Sequence, residues 1–134
     1  MENTKLNIFI VEDESIVAKD IQNSLVKLGY NVVGTANNGA EALQQIQETN
    51  PDLVLMDIMI KGPMTGIDVS EKLKETMNLP IIYLTAYADE ATLSKAKITE
   101  PYGYILKPFK EIDLHSSIET VSYTHLDVYK RQCL

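Results

Sequence analysis

The sequence predicts an α/β domain built on a parallel five-stranded sheet with helices on both faces. Three observations carry that prediction. Short, β-rich apolar runs alternate strictly with stretches whose apolar residues recur at helical spacing. One run, Leu53-Val54-Leu55-Met56, is apolar without interruption, as a strand covered on both faces must be. The runs end on polar or charged residues followed by connecting segments, and parallel strands need crossovers of this kind. At 134 residues, 45% of them apolar, the chain fits one domain. A chain of that length buries about two-thirds of its unfolded surface.

The first strand runs from Asn7 to Val11 and ends on Glu12-Asp13-Glu14. A helix follows, with Ile16, Val17, Ile21, Leu25 and Leu28 read as one face and Gly29 as its left-handed stop. Strand two covers Asn31 to Ala36. Asn37-Asn38-Gly39 is turn chemistry before a helix carrying Ala42, Leu43 and Ile46, which Asn50-Pro51 breaks. The central strand runs to Asp57, and the turn-prone Lys61-Gly62-Pro63-Met64-Thr65-Gly66 leads to a third helix marked by Ile67, Val69, Leu73 and Met77. Pro80 introduces strand four, Ile81 to Thr85. The next helix, Asp89 to Ile98, has only Ala91, Leu93, Ala96 and Ile98 as apolar material, so it is expected to be weakly anchored and mobile. Glu100-Pro101-Tyr102-Gly103 closes it. Tyr104-Ile105-Leu106 then forms strand five, ending on Lys107, and Pro108-Phe109 leads into a last helix with Ile112, Leu114, Ile118 and Val121.

From Ser122 to Leu134 the texture changes, with β-branched and aromatic residues where helix formers would continue the last helix. The domain is therefore expected to comprise residues 1–121, with 122–134 a non-native or disordered tail that carries no function. A net charge of −7 argues against a nucleic-acid or anionic-membrane surface on this domain. No apolar stretch approaches the ~20 residues of a membrane span, and the N-terminus lacks a signal-peptide pattern. The lone Cys133 cannot close an internal disulfide, which fits a cytoplasmic protein. His115 and His125 read as surface residues with no carboxylate or thiol at ligand spacing.

The chemistry lies in what the strand ends bring together. Strand one delivers Glu12 and Asp13, strand three Asp57, strand four Thr85 and strand five Lys107, all at one edge of one sheet, where open α/β folds place their ligands. Three carboxylates there repel one another unless a cation neutralises them, and clustered hard oxygens suit Mg²⁺. Asp57 is the candidate nucleophile toward a phosphoryl group, with Lys107 as a second positive charge and Thr85 as a hydroxyl donor. Phosphoryl transfer asks mostly for positioning and charge stabilisation, and a carboxylate nucleophile needs no separate base.

Taken singly, each residue has a plainer explanation. Asp57 fits a turn former and Asp13 a helix cap; Glu12 fits a solvated acid, Thr85 an ordinary β-branched residue, Lys107 a surface charge and Tyr104 strand packing. Their joint occurrence at the ends of four strands reverses the odds. In order and spacing, Glu12-Asp13, Asp57, Thr85-Ala86 and Lys107-Pro108-Phe109 resemble the receiver domain of two-component response regulators, over roughly Leu6 to Val121.

That resemblance implies a flavodoxin-like sheet of strand order 2-1-3-4-5 and a signalling domain rather than an enzyme. It implies that Asp57 accepts phosphate from a sensor histidine kinase or phosphotransfer protein. Asp13, Asp57 and the backbone carbonyl of Met59 are expected to bind Mg²⁺, with Glu12 assisting through water. Thr85 and Lys107 are expected to contact the phosphoryl, Thr85 and Tyr104 to act as the switch, and Lys107-Pro108 to be a cis peptide. The helix 4–strand 5–helix 5 face is expected to report the state and to offer a homodimer surface. The loop after Asp57 is one residue longer than the commonest pattern of that family and has Lys61 where proline is frequent, which bears on partner fit rather than chemistry. Met59 and Tyr87 occupy positions that tune phosphoryl lifetime in that family. A stand-alone receiver and a piece of a longer signalling protein both fit, and the foreign-looking tail leans toward truncation. Two other classes stay open: a pseudo-receiver that binds partners without phosphorylation, and an Asp-nucleophile phosphohydrolase. The second usually carries another Asp two residues after the nucleophile, where this chain has Met59.

Overall fold

A computed structural model describes residues 6–86 and 90–121 of the chain. Ten elements alternate: β1 (Asn7–Val11), α1 (Ser15–Lys27), β2 (Asn31–Ala36), α2 (Gly39–Thr49), β3 (Leu53–Asp57), α3 (Gly66–Thr76), β4 (Ile81–Thr85), α4 (Glu90–Ile98), β5 (Gly103–Leu106) and α5 (Glu111–Val121). All neighbouring strands pair in parallel, in the order β2-β1-β3-β4-β5. The expected flavodoxin-like fold is therefore observed. Tyr87, Asp89, His125, Cys133 and the whole of 122–134 lie outside the described residues.

Because successive strand residues point to opposite faces, the sheet builds two cores. Phe9, Val54, Met56 and Tyr83 pack toward Ala42 and Ile46 of α2, Val69 and Leu73 of α3 and Ala96 of α4. Ile10, Leu55, Ile82 and Leu84 pack toward Ile21 and Leu25 of α1 and Leu114 and Ile118 of α5. β3 and β4 are buried along their whole length, which explains why Leu53 to Met56 shows no polar alternation.

Three large apolar residues assigned to helix faces lie elsewhere: Ile16 is 84% exposed, Ile98 72% and Ile112 60%. The cause is helical phase. Val17, Ile21, Leu25 and Leu28 share a stripe at spacings of four and three, from which Ile16 is turned far away. Ile98 and Ile112 sit two residues from the buried Ala96 and Leu114, about 200° round the helix at 3.6 residues per turn.

Helix ends follow local chemistry. Gly29, at φ +100°, ends α1, and the Tyr30 N–H donates to the Leu25 carbonyl at 3.0 Å. Asn38 caps α2 by accepting from the Glu41 N–H at 2.9 Å, and Asn50 closes that helix in the left-handed region.

Candidate functional site

β1 and β3 are central strands whose carboxyl ends lie side by side, with Val11 paired to Met56. The chain on either side therefore projects Glu12, Asp13 and Asp57 into one place, at the point where strand order reverses. One carboxylate oxygen from each of the three lies within 4.8 Å of the others. Glu12 and Asp57 are buried, and Asp13 is half-buried.

Lys107 enters from the end of β5. Its Nζ donates to Glu12 Oε1 and to Asp57 Oδ2, both at 2.9 Å. The Lys107 N–H also donates to the Thr85 carbonyl at 2.8 Å, which fixes the lysine backbone against the end of β4. The Lys107-Pro108 peptide is cis. Asp57 Oδ1 accepts from the Met59 N–H at 3.2 Å, and Glu12 Oε2 accepts from the Glu14 N–H at 3.2 Å.

The electrostatics follow from this geometry. Burial pushes the Glu12 carboxyl up, the Lys107 ammonium pulls it down, and the nearby Asp57 charge adds to the rise, giving a value of about 7 against an ordinary 4.5. Burial alone would lower the Lys107 ammonium, but its bonds to Glu12 and Asp57 outweigh that and raise it. Negative charge is thus in excess, and one lysine is shared between two acids. The donor set fits a hard divalent cation: three carboxylates within reach of one another, at a site that accumulates more negative charge than its lysine offsets.

Glu12, Asp13, Asp57, Met59, Thr85 and Lys107 lie at this edge, and Tyr104 sits further back in β5. Thr85 is buried at the end of β4. Tyr104 stands beside Tyr83 across the β4–β5 pair, ring centroids 6.0 Å apart, and its buried hydroxyl meets no hydrogen-bond partner among the described residues. At Met59, the group directed at Asp57 is the N–H.

Two supports went unread in the sequence. A Cβ on Gly66 would lie 2.1 Å from the Asp57 carbonyl oxygen, so only glycine lets α3 start against the Asp57 backbone. Thr65 and Asp68 form a capping box at that start, legible as a Thr three residues before an acid. One reading is corrected: His115 does have a carboxylate at helical spacing, Glu119, with Nε2 and Oε2 3.8 Å apart. The pair is exposed and far along α5 from the strand ends.

The profile of the response regulator receiver domain family matches residues 8–119. This chain belongs to that family. The receiver domain is 33% identical over 112 residues to the transcriptional regulatory protein PdtaR of Mycobacterium tuberculosis, covering 84% of this chain and 54% of that one. It is 30% identical over 126 residues to the phyllosphere-induced regulator PhyR of Methylorubrum extorquens, covering 93% of this chain and 46% of that one. The receiver domain thus spans about half the length of these curated relatives, which are named as regulators. Among solved structures it is similar to the signal receiver domain of a modulated diguanylate cyclase from Desulfovibrio desulfuricans G20, with TM-score 0.82, 38% identity and coverage of 87% and 93% of the two chains. It is also similar to a chain of the CheX–CheY–BeF3–Mg complex of Borrelia burgdorferi, with TM-score 0.79, 25% identity and coverage of 87% and 88%. Among the described residues, no helix is long and apolar enough to cross a membrane.

Proposed function

We propose that this receiver domain accepts a phosphoryl group on Asp57 from the phosphohistidine of a sensor kinase or phosphotransfer protein. The observation that carries the reading is the placement of Asp57: a buried carboxylate at the end of the central strand, within 4.8 Å of two further acids and 2.9 Å from a lysine. In the transfer an Asp57 oxygen forms the new bond to phosphorus. The bond from phosphorus to the donor imidazole nitrogen breaks, its electron pair stays on that nitrogen, and the ring takes up a proton.

Asp13, Asp57 and the Met59 carbonyl are the groups assigned to Mg²⁺, with Glu12 acting through water. When bound, that ion would neutralise the carboxylates and the incoming phosphoryl oxygens. Lys107 is already at the acceptor oxygen, so it supplies charge to the phosphoryl without rearrangement of its backbone. Thr85 offers its hydroxyl from the neighbouring strand end, and Tyr104 responds to its position. Phosphorylation adds roughly −1.5 to −2 charge, enough to bias a face that includes the thinly buried α4. That face is α4, β5 and α5. Its exposed apolar residues Ile98, Tyr102, Leu106 and Ile112 support it as the output and homodimer surface of a cytoplasmic signalling domain. An unchanged sedimentation coefficient on activation would count against the dimer.

Incubation with Mg²⁺ and acetyl phosphate, read by intact mass, tests the central step. The expected result is a single phosphate on the wild type, absent from Asp57→Asn and without Mg²⁺. No adduct, together with no binding of beryllofluoride, would overturn it.

A further inference from the structure

α4 is attached to the sheet unevenly. Among its residues only Ala96 is fully buried, while Glu90 and Ala91 at its start are exposed. Beyond its last turn the attachment changes character. Thr99 is buried, and its Oγ1 donates to the Ala96 carbonyl at 2.6 Å. That bond uses the hydroxyl's one proton, so at the 2.7 Å contact between Thr99 Oγ1 and the Tyr83 hydroxyl the tyrosine is the donor. Tyr83 is fully buried in the middle of β4, and burial raises its pKa, which keeps the phenol protonated and able to donate. The same end is held by Glu100, in the left-handed region, whose carboxylate meets Lys74 of α3 at 3.0 Å, and by the Tyr102 N–H on the Ile81 carbonyl at 2.9 Å.

We propose that the chain Tyr83 hydroxyl, Thr99 hydroxyl, Ala96 carbonyl is a buried pin that fixes the C-terminal end of α4 while the remainder of the helix swings about it. Tyr83 is then a positioning residue for the responding face, acting through Thr99. Its ring supports Tyr104 and its hydroxyl holds α4, so one side chain joins the two elements that must move together. An apolar residue in place of Tyr83 would fill the core but leave α4 without its buried polar tie. The pin rests on the reading of α4 as part of the responding face, but its existence is tested without any phosphodonor.

Residue-resolved amide exchange by NMR provides the test. Tyr83→Phe keeps the ring and removes the hydroxyl, and Thr99→Val keeps the shape and removes the oxygen. Each variant is expected to lose about tenfold protection across residues 90–98, the scale of one buried hydrogen bond, with β1 and β3 unchanged. The double variant is expected to lose no more than Thr99→Val alone, because removing the Thr99 hydroxyl already breaks both bonds of the chain. Unchanged α4 protection, uniform loss across the sheet, or an additive double variant would each overturn the pin. With Mg²⁺ and beryllofluoride, exchange in the wild type is expected to change ahead of Ala96 and stop there, and in Tyr83→Phe to extend through Thr99. Equal change along the whole wild-type helix would overturn the pivot. If beryllofluoride does not bind and acetyl phosphate leaves no adduct, the phosphoacceptor reading fails, while the comparison without them still decides the pin.

Discussion

Lys107 gives one ammonium to two buried carboxylates, so the charge balance at Glu12 is incomplete without a further cation. With its value near 7, Glu12 in the folded protein keeps a proton that the unfolded carboxyl has already lost above about 4.5. The stabilisation from holding that proton is fully present below pH 4.5 and is lost as pH rises through 7. Cation binding requires the ionised acid, so the sign reverses for the metal. Mg²⁺ affinity is expected to rise by up to about tenfold per pH unit between pH 5 and 7 and to level off above, as one proton is displaced. Calorimetric titration across that range measures the slope, and Glu12→Gln is expected to flatten it. A slope that persists in the variant would assign the proton to another group.

At the level of elements, α3 is set directly against the strand that carries Asp57. The Gly66 N–H donates to the Ile58 carbonyl at 2.7 Å, and a side chain at that position would meet the Asp57 backbone first and Met56 beside it. Gly66→Ala is therefore expected to destabilise the fold by about 2 kcal/mol, because relief requires moving β3 or α3. Gly103→Ala, with nothing within 4 Å of the added carbon, is expected to stay within about 0.5 kcal/mol of wild type. Urea unfolding of the two variants checks the contrast. The acids, Thr85 and Lys107 were readable in the sequence because each ends an apolar run, and run ends are visible without knowing the packing. Gly66 also stands in plain view, but its necessity depends on how closely a helix approaches a carbonyl. Ile16, Ile98 and Ile112 were misassigned for a related reason. An apolar residue next to a buried stripe cannot be told from one within it until the helix has a rotation. Tyr83 and Thr99, 16 residues apart, lie in β4 and just beyond α4, and no periodicity links them.

At the scale of the whole molecule, α5 closes one of the two cores. Val121 is 3% exposed and completes the layer formed with Leu114 and Ile118. From the change in sequence texture after Val121, removal of residues 122–134 is expected to leave the melting temperature and Mg²⁺-dependent phosphorylation unchanged. Differential scanning calorimetry and intact mass check this, and a large fall in melting temperature would assign those residues to the fold. The sheet order was legible only through family resemblance. Alternation of strands and helices fixes parallel pairing but leaves several orders open, and nothing in a single strand states its neighbour.

The loop between β3 and α3 is drawn together at its base by Gly66 on Ile58, and braced near its tip where the Lys61 N–H donates to the Asn37 carbonyl at 3.3 Å. Beyond that brace, Gly62 is exposed, with φ +93° and open space around it. A segment anchored at its foot and unencumbered at its crest can accept extra residues without disturbing the carboxylate below. That makes the Gly62 crest a natural graft point for an epitope or fluorescent label, and a place where length can drift between related sequences while the acid at the strand end stays put.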